Sequence, residues 1–526
     1  MTLTEEIALE ERNSSRVGWR GWAALVVLML PVLLVSVDNT VLSFALPAIA
    51  ADLAPTSTQQ LWIIDAYPLV LAGLLVTMGT LGDRFGRRRI LLIGAVGFAV
   101  VSVFAAFAPT ASALIAARAV LGLFGAMLMP STLSLLRSIF TNRDQRRLAI
   151  AVWASMFSAG SAIGPVVGGI LLEHFAWGSV FLLSVPVLVP LLVFAPLLLP
   201  NTRDPHPGRF DPLSIVLSML TTVPIVYAIK ELAVHGAGVV PVLLLLLGVG
   251  FGVAFVRRQV RSATPMLDMR LFGRARFSGA LLVNLLSVVA LVGFLYFASQ
   301  YLQLVVGLSP MDAGLALVPG MAVMILAGLL VVPVARRVAP RILVPIGLAI
   351  SAVAYLMVAF GASAGVGLLV TAFAVLAIGI GMAETVSNEL ILASVPPAKA
   401  GAASAVSETA YELGAVLGTT VLGGILTAIY RSTIQIPAEV PVEAARAARE
   451  TLAGAAQVAR DLGGALGEQV ASTAAAAFES GVFVTSIIGA VLVVAAAVIA
   501  ATTLGGVHTP SEESNVARRE AGRHPR

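Results

Sequence analysis

The chain has 526 residues, of which 58% are hydrophobic and 12% charged, about half the charged share usual in a soluble domain. A water-soluble fold could not hide that much apolar side chain, and the formal charge of +5 is scattered through short loops, which excludes a nucleic-acid partner. Cysteine is absent, so neither a disulfide frame nor a thiolate metal site is available.

Helices are the expected spanning elements, because the apolar runs are long and uninterrupted where a barrel would show short alternating segments. The segment up to Arg20 mixes acids and arginines and is followed by no small-residue cleavage site, so the first span is read as an uncleaved anchor. In chain order, hydropathy places spans at 22–48, 59–81, 90–108, 112–137, 148–172, 179–199, 211–230, 238–256, 277–301, 312–335, 341–361, 366–392, 402–430 and 478–503. One set of alternate loops carries Arg84, Arg87, Arg88 and Arg89, then Arg143, Arg146 and Arg147, then Arg203 and Arg209, then Arg257, Arg258 and Arg261, then Arg336, Arg337 and Arg341, then Lys399. The opposite short loops carry no Lys or Arg, which places the arginine loops and both termini in the cytoplasm. The expected layout is all-α: an N-terminal tail (1–21), a six-helix bundle (22–200), an inserted helix pair (201–262), a second six-helix bundle (263–505) and a C-terminal tail (506–526). The connection at 431–477 breaks the short-loop pattern, and its spacing suggests one or two amphipathic helices outside the bilayer, serving as a connector.

Charges inside the apolar runs point to function, because each costs at least about 2.5 kcal/mol at the bilayer centre on insertion scales. Asp38 and Asp65 fall in the outer halves of the first two spans, Asp65 nearer the interface where water can reach it. Glu384 falls on the twelfth span, with Glu389 toward its cytoplasmic end. Glu408 and Glu412 lie four residues apart on the thirteenth, on one helix face beside Tyr411. Arg118 reads as the one basic residue well inside a span, placed to pair with an acid and tune its titration. An excess of buried acids needs protons, cations or water to sustain it, and two carboxylates so close titrate as a coupled pair. A cation entering such a site expels a proton, and a returning proton expels the cation; that reciprocity is antiport. Of the aromatic candidates for receiving a flat cation (Trp62, Tyr67, Phe157, Tyr296, Phe297, Tyr301 and Tyr411), Tyr411 is singled out, while Trp62 reads as an interfacial anchor.

Two loops suggest a duplication: Gly79, Asp83, Arg84, Gly86, Arg87, Arg88 and Arg89 after the second span, and Gly328 with Arg336, Arg337 and Arg341 after the tenth. The first of these resembles the signature loop of the major facilitator superfamily. Gly160 with Gly164, Pro165, Gly168 and Gly169 resembles its fifth-span antiporter motif, and Arg118 with Gly122 its fourth-span motif. Asp38-Asn39-Thr40-Val41 through Ala45-Leu46-Pro47 is similar to the first-span motif of the fourteen-span drug:proton antiporters. The run from Ser407 to Gly414 resembles the thirteenth span of bacterial pumps for quaternary ammonium compounds and ethidium. The tenth span departs, with only Asp312 at its edge where some relatives place a deeper acid.

This resemblance implies a proton-coupled exporter of lipophilic organic cations, such as ethidium, acriflavine-like dyes, quaternary ammonium compounds and fluoroquinolones. It would work as a monomer in the bacterial cytoplasmic membrane, without a cofactor. It also implies that Gly79, Asp83, Arg84, Gly86, Arg87 and Arg88 form a switching contact, and that the fifth-span glycines and Pro165 serve gating or close packing. An embedded enzyme is disfavoured by five unpaired histidines, and an ATP-driven pump by the lack of a Gly-x-x-x-x-Gly-Lys-Ser/Thr loop. The surviving rival is export of an endogenous antibiotic, lipid, siderophore or other metabolite.

Overall fold

The computed structural model describes residues 17–201, 211–235, 238–262, 269–335, 337–361, 365–395 and 400–505. Most of both tails, together with Arg203, Arg209, Arg336 and Lys399, lies outside the described residues. So do the side chains of Arg143, Arg147 and Phe157.

The N-terminal half contains α1 (Trp19–Leu53), α2 (Ser57–Phe85), α3 (Arg87–Ala106), α4 (Ala111–Ile139), α5 (Arg143–His174) and α6 (Ser179–Leu198). After it come α7 (Pro212–His235) and α8 (Val239–Arg261). The C-terminal half contains α9 (Ala275–Val305), α10 (Pro310–Ala335), α11 (Pro340–Gly361) and α12 (Val366–Ala393). Its α13 runs Ala400–Leu417, widens into a π-helical turn at Gly418–Gly423 and continues as Gly424–Thr433. Two short helices, α14 (Val442–Glu450) and α15 (Leu452–Leu462), precede the long α16 (Gly464–Thr503). Among the described residues thirteen helices are long and apolar enough to span a bilayer; α5, whose apolar half is Ile163–His174, completes the fourteen.

Local chemistry sets the helix starts. Thr56 caps α2 reciprocally: its hydroxyl accepts from the Gln59 N–H at 3.2 Å, and the Gln59 side chain accepts from the Thr56 N–H at 3.0 Å. Thr110 caps α4 in the same sense, accepting from the Ala113 N–H at 3.2 Å. Between α2 and α3 the chain turns on Gly86, whose φ of 108° lies in the region closed to most side chains.

The two halves repeat one packing pattern. In the first, α2 packs on α4, α1 on α5, α3 on α4, and α6 on both α1 and α3; in the second, α10 packs on α12, α9 on α13, α11 on α12, and α16 on both α9 and α11. The halves meet through α5 against α10 and α2 against α13, a symmetric exchange of equivalent helices. Close backbone approach makes this seam. A Cβ on Gly169 would lie 2.6 Å from the Met311 Cα, and one on Gly314 would strike the Pro165 carbonyl. The inserted pair is asymmetric in its partners: α7 touches α2 and α13, whereas α8 packs on α7 and leaves Val240, Leu243 and Leu246 exposed, as suits a lipid-facing helix.

Two boundaries differ from the sequence expectation. Helix α16 begins at Gly464, not near 478, because its first turns are Ala-rich and only weakly apolar and so escape a hydropathy window. The connection before it is not a slack connector. Glu450 at the end of α14 accepts from the Ser57 N–H at 3.1 Å and from its hydroxyl at 2.9 Å, while Tyr430 donates to the Ala448 carbonyl at 2.8 Å. The short helices therefore join α13 to the start of α2 at the arginine-poor end.

Candidate functional site

A narrow cleft lies between the halves, lined by Asp38, Asp65, Arg118, Glu384 and Tyr411 together with apolar residues that include Leu291, Met321 and Met324. Five of the residues singled out from sequence thus line one cleft, three from the first half and two from the second. Glu412 lies beside it, fully buried, and accepts from the Asn39 amide at 3.3 Å across the seam between α1 and α13. Glu408, one turn earlier on α13, lies toward the arginine-rich end.

The charges in this region fall into two classes. Asp38 is paired: its carboxylate meets Arg118 at 2.6 Å. Arg118 also donates to the Ile63 carbonyl at 3.2 Å and lies 4.6 Å from the centre of the Tyr67 ring. Tyr67 therefore faces a cation belonging to the protein. The Asp38 side chain does not bond to Asn39 or Thr40; Asn39 reaches Glu412, and Thr40 donates to backbone carbonyls of its own helix.

Asp65 is paired as well, which corrects one expectation. It is fully buried and not watered at the interface, and its carboxylate lies 2.8 Å from the Lys230 ammonium. Lys230 is a second buried base in the seam, although it lies near the end of its helix. Lys230 ends the apolar run of the seventh predicted span, but α7 continues to His235 and packs its lysine inward against α2. Trp62 meets a cation of the protein: the Lys230 Nζ lies 3.9 Å from its ring centroid, and its ring neighbours Tyr227. Thr420, in the π-helical turn, donates to the same Asp65 oxygen at 2.9 Å.

The second class is unpaired. Among the described residues no Arg, Lys or His lies within ion-pair distance of Glu384, Glu408 or Glu412. One carboxylate oxygen of Glu384 and one of Glu412 are buried without a hydrogen-bond partner. Such atoms cost free energy unless a proton, water or ligand meets them. Glu389, by contrast, is exposed.

The fifth-span motif packs against the first span beside this site. A Cβ on Gly160 would sit 3.0 Å from the Leu33 carbonyl, one on Gly164 3.2 Å from the Val37 carbonyl, and one on Gly168 2.6 Å from Val41. Pro165 and Gly169 turn to α10 instead. At the arginine-rich rim, Asp83 pairs with Arg87 at 2.8 Å, Arg87 donates to the Ser134 carbonyl, and Arg88 donates to the Pro196 and Leu199 carbonyls. Arg84 lies over the ring of Phe85, and Gly79 faces Pro130. Every one of these contacts stays within the first half.

Hydrogen bonds between the halves run from Asn39–Glu412 outward through Asp65–Thr420, Phe44–Gln303 and Glu173–Ser309 to Ser57–Glu450. All of these lie from the middle of the seam toward the arginine-poor end. The residues missed by sequence reasoning are Lys230, Trp62 as a cation's partner, Asn39 as a bridge, and Thr420.

The multidrug efflux pump LfrA of Mycolicibacterium smegmatis is 57% identical over 488 residues, covering 93% of this chain and 97% of that one. The methyl viologen resistance protein SmvA of Salmonella typhimurium is 35% identical over 476 residues, 88% of this chain and 93% of its own. A crystal structure of a bacterial homolog of the human lysosomal transporter Spinster, inward-facing and unoccupied, matches 92% of this chain and 98% of that chain with a TM-score of 0.65 at 19% identity, a likeness of fold. Residues 28–419 match the sequence profile of the Major Facilitator Superfamily. With its two repeated bundles and the cleft between them, the chain belongs to the Major Facilitator Superfamily and is a membrane transporter rather than an enzyme.

Proposed function

We propose that this transporter exports lipophilic organic cations in exchange for protons by alternating access, with multidrug efflux as its physiological role. The observation that carries this reading is the set of unpaired carboxylates, Glu384, Glu408 and Glu412, in a seam whose other acids are already matched by Arg118 and Lys230. A region with surplus negative charge and little water is completed either by protons or by a cation, and the two exclude each other. Tyr411 and the apolar wall suit the flat hydrocarbon body of such a cargo. LfrA and SmvA, named for multidrug efflux and methyl viologen resistance, support the same cargo class.

In this reading the arginine-rich loops face the cytoplasm of a bacterial inner membrane, with both termini on that side. The cleft is then sealed outward by the Asp65–Thr420 and Ser57–Glu450 contacts. Cargo enters from inside, displaces protons from the Glu408–Glu412 pair, and the halves rock about the α5–α10 and α2–α13 seams. Asp38 with Arg118, and Asp65 with Lys230, set the charge of the site. The loop around Asp83 and Arg87 and the glycines of α5 serve the rocking motion.

The test is ethidium flux in proteoliposomes under an imposed proton gradient. Uphill flux that follows the gradient and collapses in Glu408→Gln/Glu412→Gln supports the reading. A reconstituted native protein that moves no ethidium under any gradient sinks it.

A further inference from the structure

The cleft wall carries three carboxylates, Asp38, Asp65 and Glu384. Two of them are neutralised by the protein's own cations, Arg118 and Lys230. Arg118 comes from within the first bundle, but Lys230 is delivered by α7, one of the two helices inserted between the bundles. Its ammonium sits between the Asp65 carboxylate at 2.8 Å and the Trp62 ring at 3.9 Å, with no solvent exposure. An aromatic face opposed to a carboxylate is the chemistry that receives an organic ammonium or pyridinium ion. The other carboxylate oxygen of Asp65 is buried without a hydrogen-bond partner, so the site holds acceptor capacity that the lysine does not use.

We propose that Lys230 is a resident counter-ion that fills a second cation subsite, formed by Trp62 and Asp65, and thereby disfavours doubly charged cargo relative to singly charged cargo. The inference rests on the proposed reading of the cleft as a cation site. With Lys230 in place, Asp65 offers a ligand no net charge; without it, Asp65 adds one more carboxylate to the unpaired acids of the seam. The inserted helix is then a specificity element, although its partner α8 faces lipid. A purely structural staple would have the same geometry but no influence on the charge of the ligand.

Equilibrium binding in lipid nanodiscs, with no gradient and at fixed pH, separates these cases, using ethidium as the singly charged probe and methyl viologen as the doubly charged one. In Lys230→Met the affinity for methyl viologen relative to ethidium should rise about tenfold or more, which is about 1.4 kcal/mol or more. Lys230→Arg should keep the native ratio, and Lys230→Met/Asp65→Asn should return to it. An unchanged ratio in Lys230→Met, or a gain that survives in the double variant, would overturn the proposal. Should Lys230→Met fail to fold, Asp65→Asn gives the converse reading, because its unneutralised ammonium should weaken methyl viologen more than ethidium; equal effects on both would overturn it. Binding that follows these rules without gradient-driven flux would remove the antiport reading and leave this inference standing, whereas a native protein that binds neither cation would overturn both.

Discussion

Two groups of buried carboxylates lie in the same seam, yet the protein treats them in opposite ways. On α1 and α2 each acid has its own cation: Asp38 meets Arg118 and Asp65 meets Lys230, both pairs almost wholly out of solvent. On α12 and α13, Glu384, Glu408 and Glu412 have no such partner among the described residues, and Glu412 is held across the seam by the Asn39 amide alone. Separating a matched buried pair would leave each charge uncompensated, so such a pair resists being parted. An unmatched acid has to recruit what it lacks from outside, and this makes it suited to carrying protons and cargo. In the proposed cycle the first group shapes the site and the second exchanges its contents.

Breaking a matched pair should have the largest effect. Arg118→Met leaves Asp38 as a buried carboxylate without its cation, at a cost of about 3–5 kcal/mol. Thermal unfolding in detergent should show a large drop in Tm, most of it recovered in Asp38→Asn/Arg118→Met. A single variant as stable as the native protein would show that the pair is not the frame of the site.

A smaller effect is expected from moving the frame without touching its charges. Gly164→Val puts branched bulk against Thr40 and the Val37 carbonyl, next to Asp38 and Asn39, and overpacking of this kind costs about 1–3 kcal/mol. Ethidium flux should fall with the loss of stability, while Ile163→Val, one position away on an exposed face, should change neither. Equal behaviour of the two variants would detach α5 from the site.

The smallest effect serves as a control for burial. Asp211, at the loop before α7, pairs with Arg258 at 2.9 Å, and hydrogen bonding from that guanidinium, with Ser214 adding to it, pulls the Asp211 carboxyl down from its ordinary value of 3.8 to about 2. Its folded value is lower than its unfolded one, so the pair contributes stability above about pH 4 and loses it as pH falls toward 2. Asp211→Asn should flatten that acid limb of the stability profile and leave neutral-pH stability nearly unchanged, since the pair is solvated. A neutral-pH loss as large as that of Arg118→Met would mean that burial does not separate the two kinds of pair.

The acids were legible in the sequence because a carboxylate inside an apolar run stands out whatever packs around it. Arg118 was legible for the same reason, and the glycines of α5 from their spacing. Lys230 was not: at the end of an apolar run, hydropathy reads a lysine as one that reaches for the interface, and only the packing of α7 on α2 turns it inward. The cation over Trp62 was hidden with it, since an aromatic near a span end gives no sign of what its face meets. The repeated bundles were visible as echoing loops, but the pairing of α5 with α10 and of α2 with α13 depends on contacts between segments far apart in the chain. The docking of α14 and α15 onto Ser57 was hidden likewise, because amphipathic spacing reveals a surface helix without revealing its surface.

The most direct measurement is the count of protons released when ethidium binds to the purified transporter in weakly buffered solution, native protein against Glu408→Gln/Glu412→Gln. The account predicts release from the native protein near neutral pH and its loss in the double variant, with the Asp38–Arg118 and Asp65–Lys230 pairs intact in both. Binding of ethidium by the native protein with no proton release, or the same release from the double variant, would contradict it.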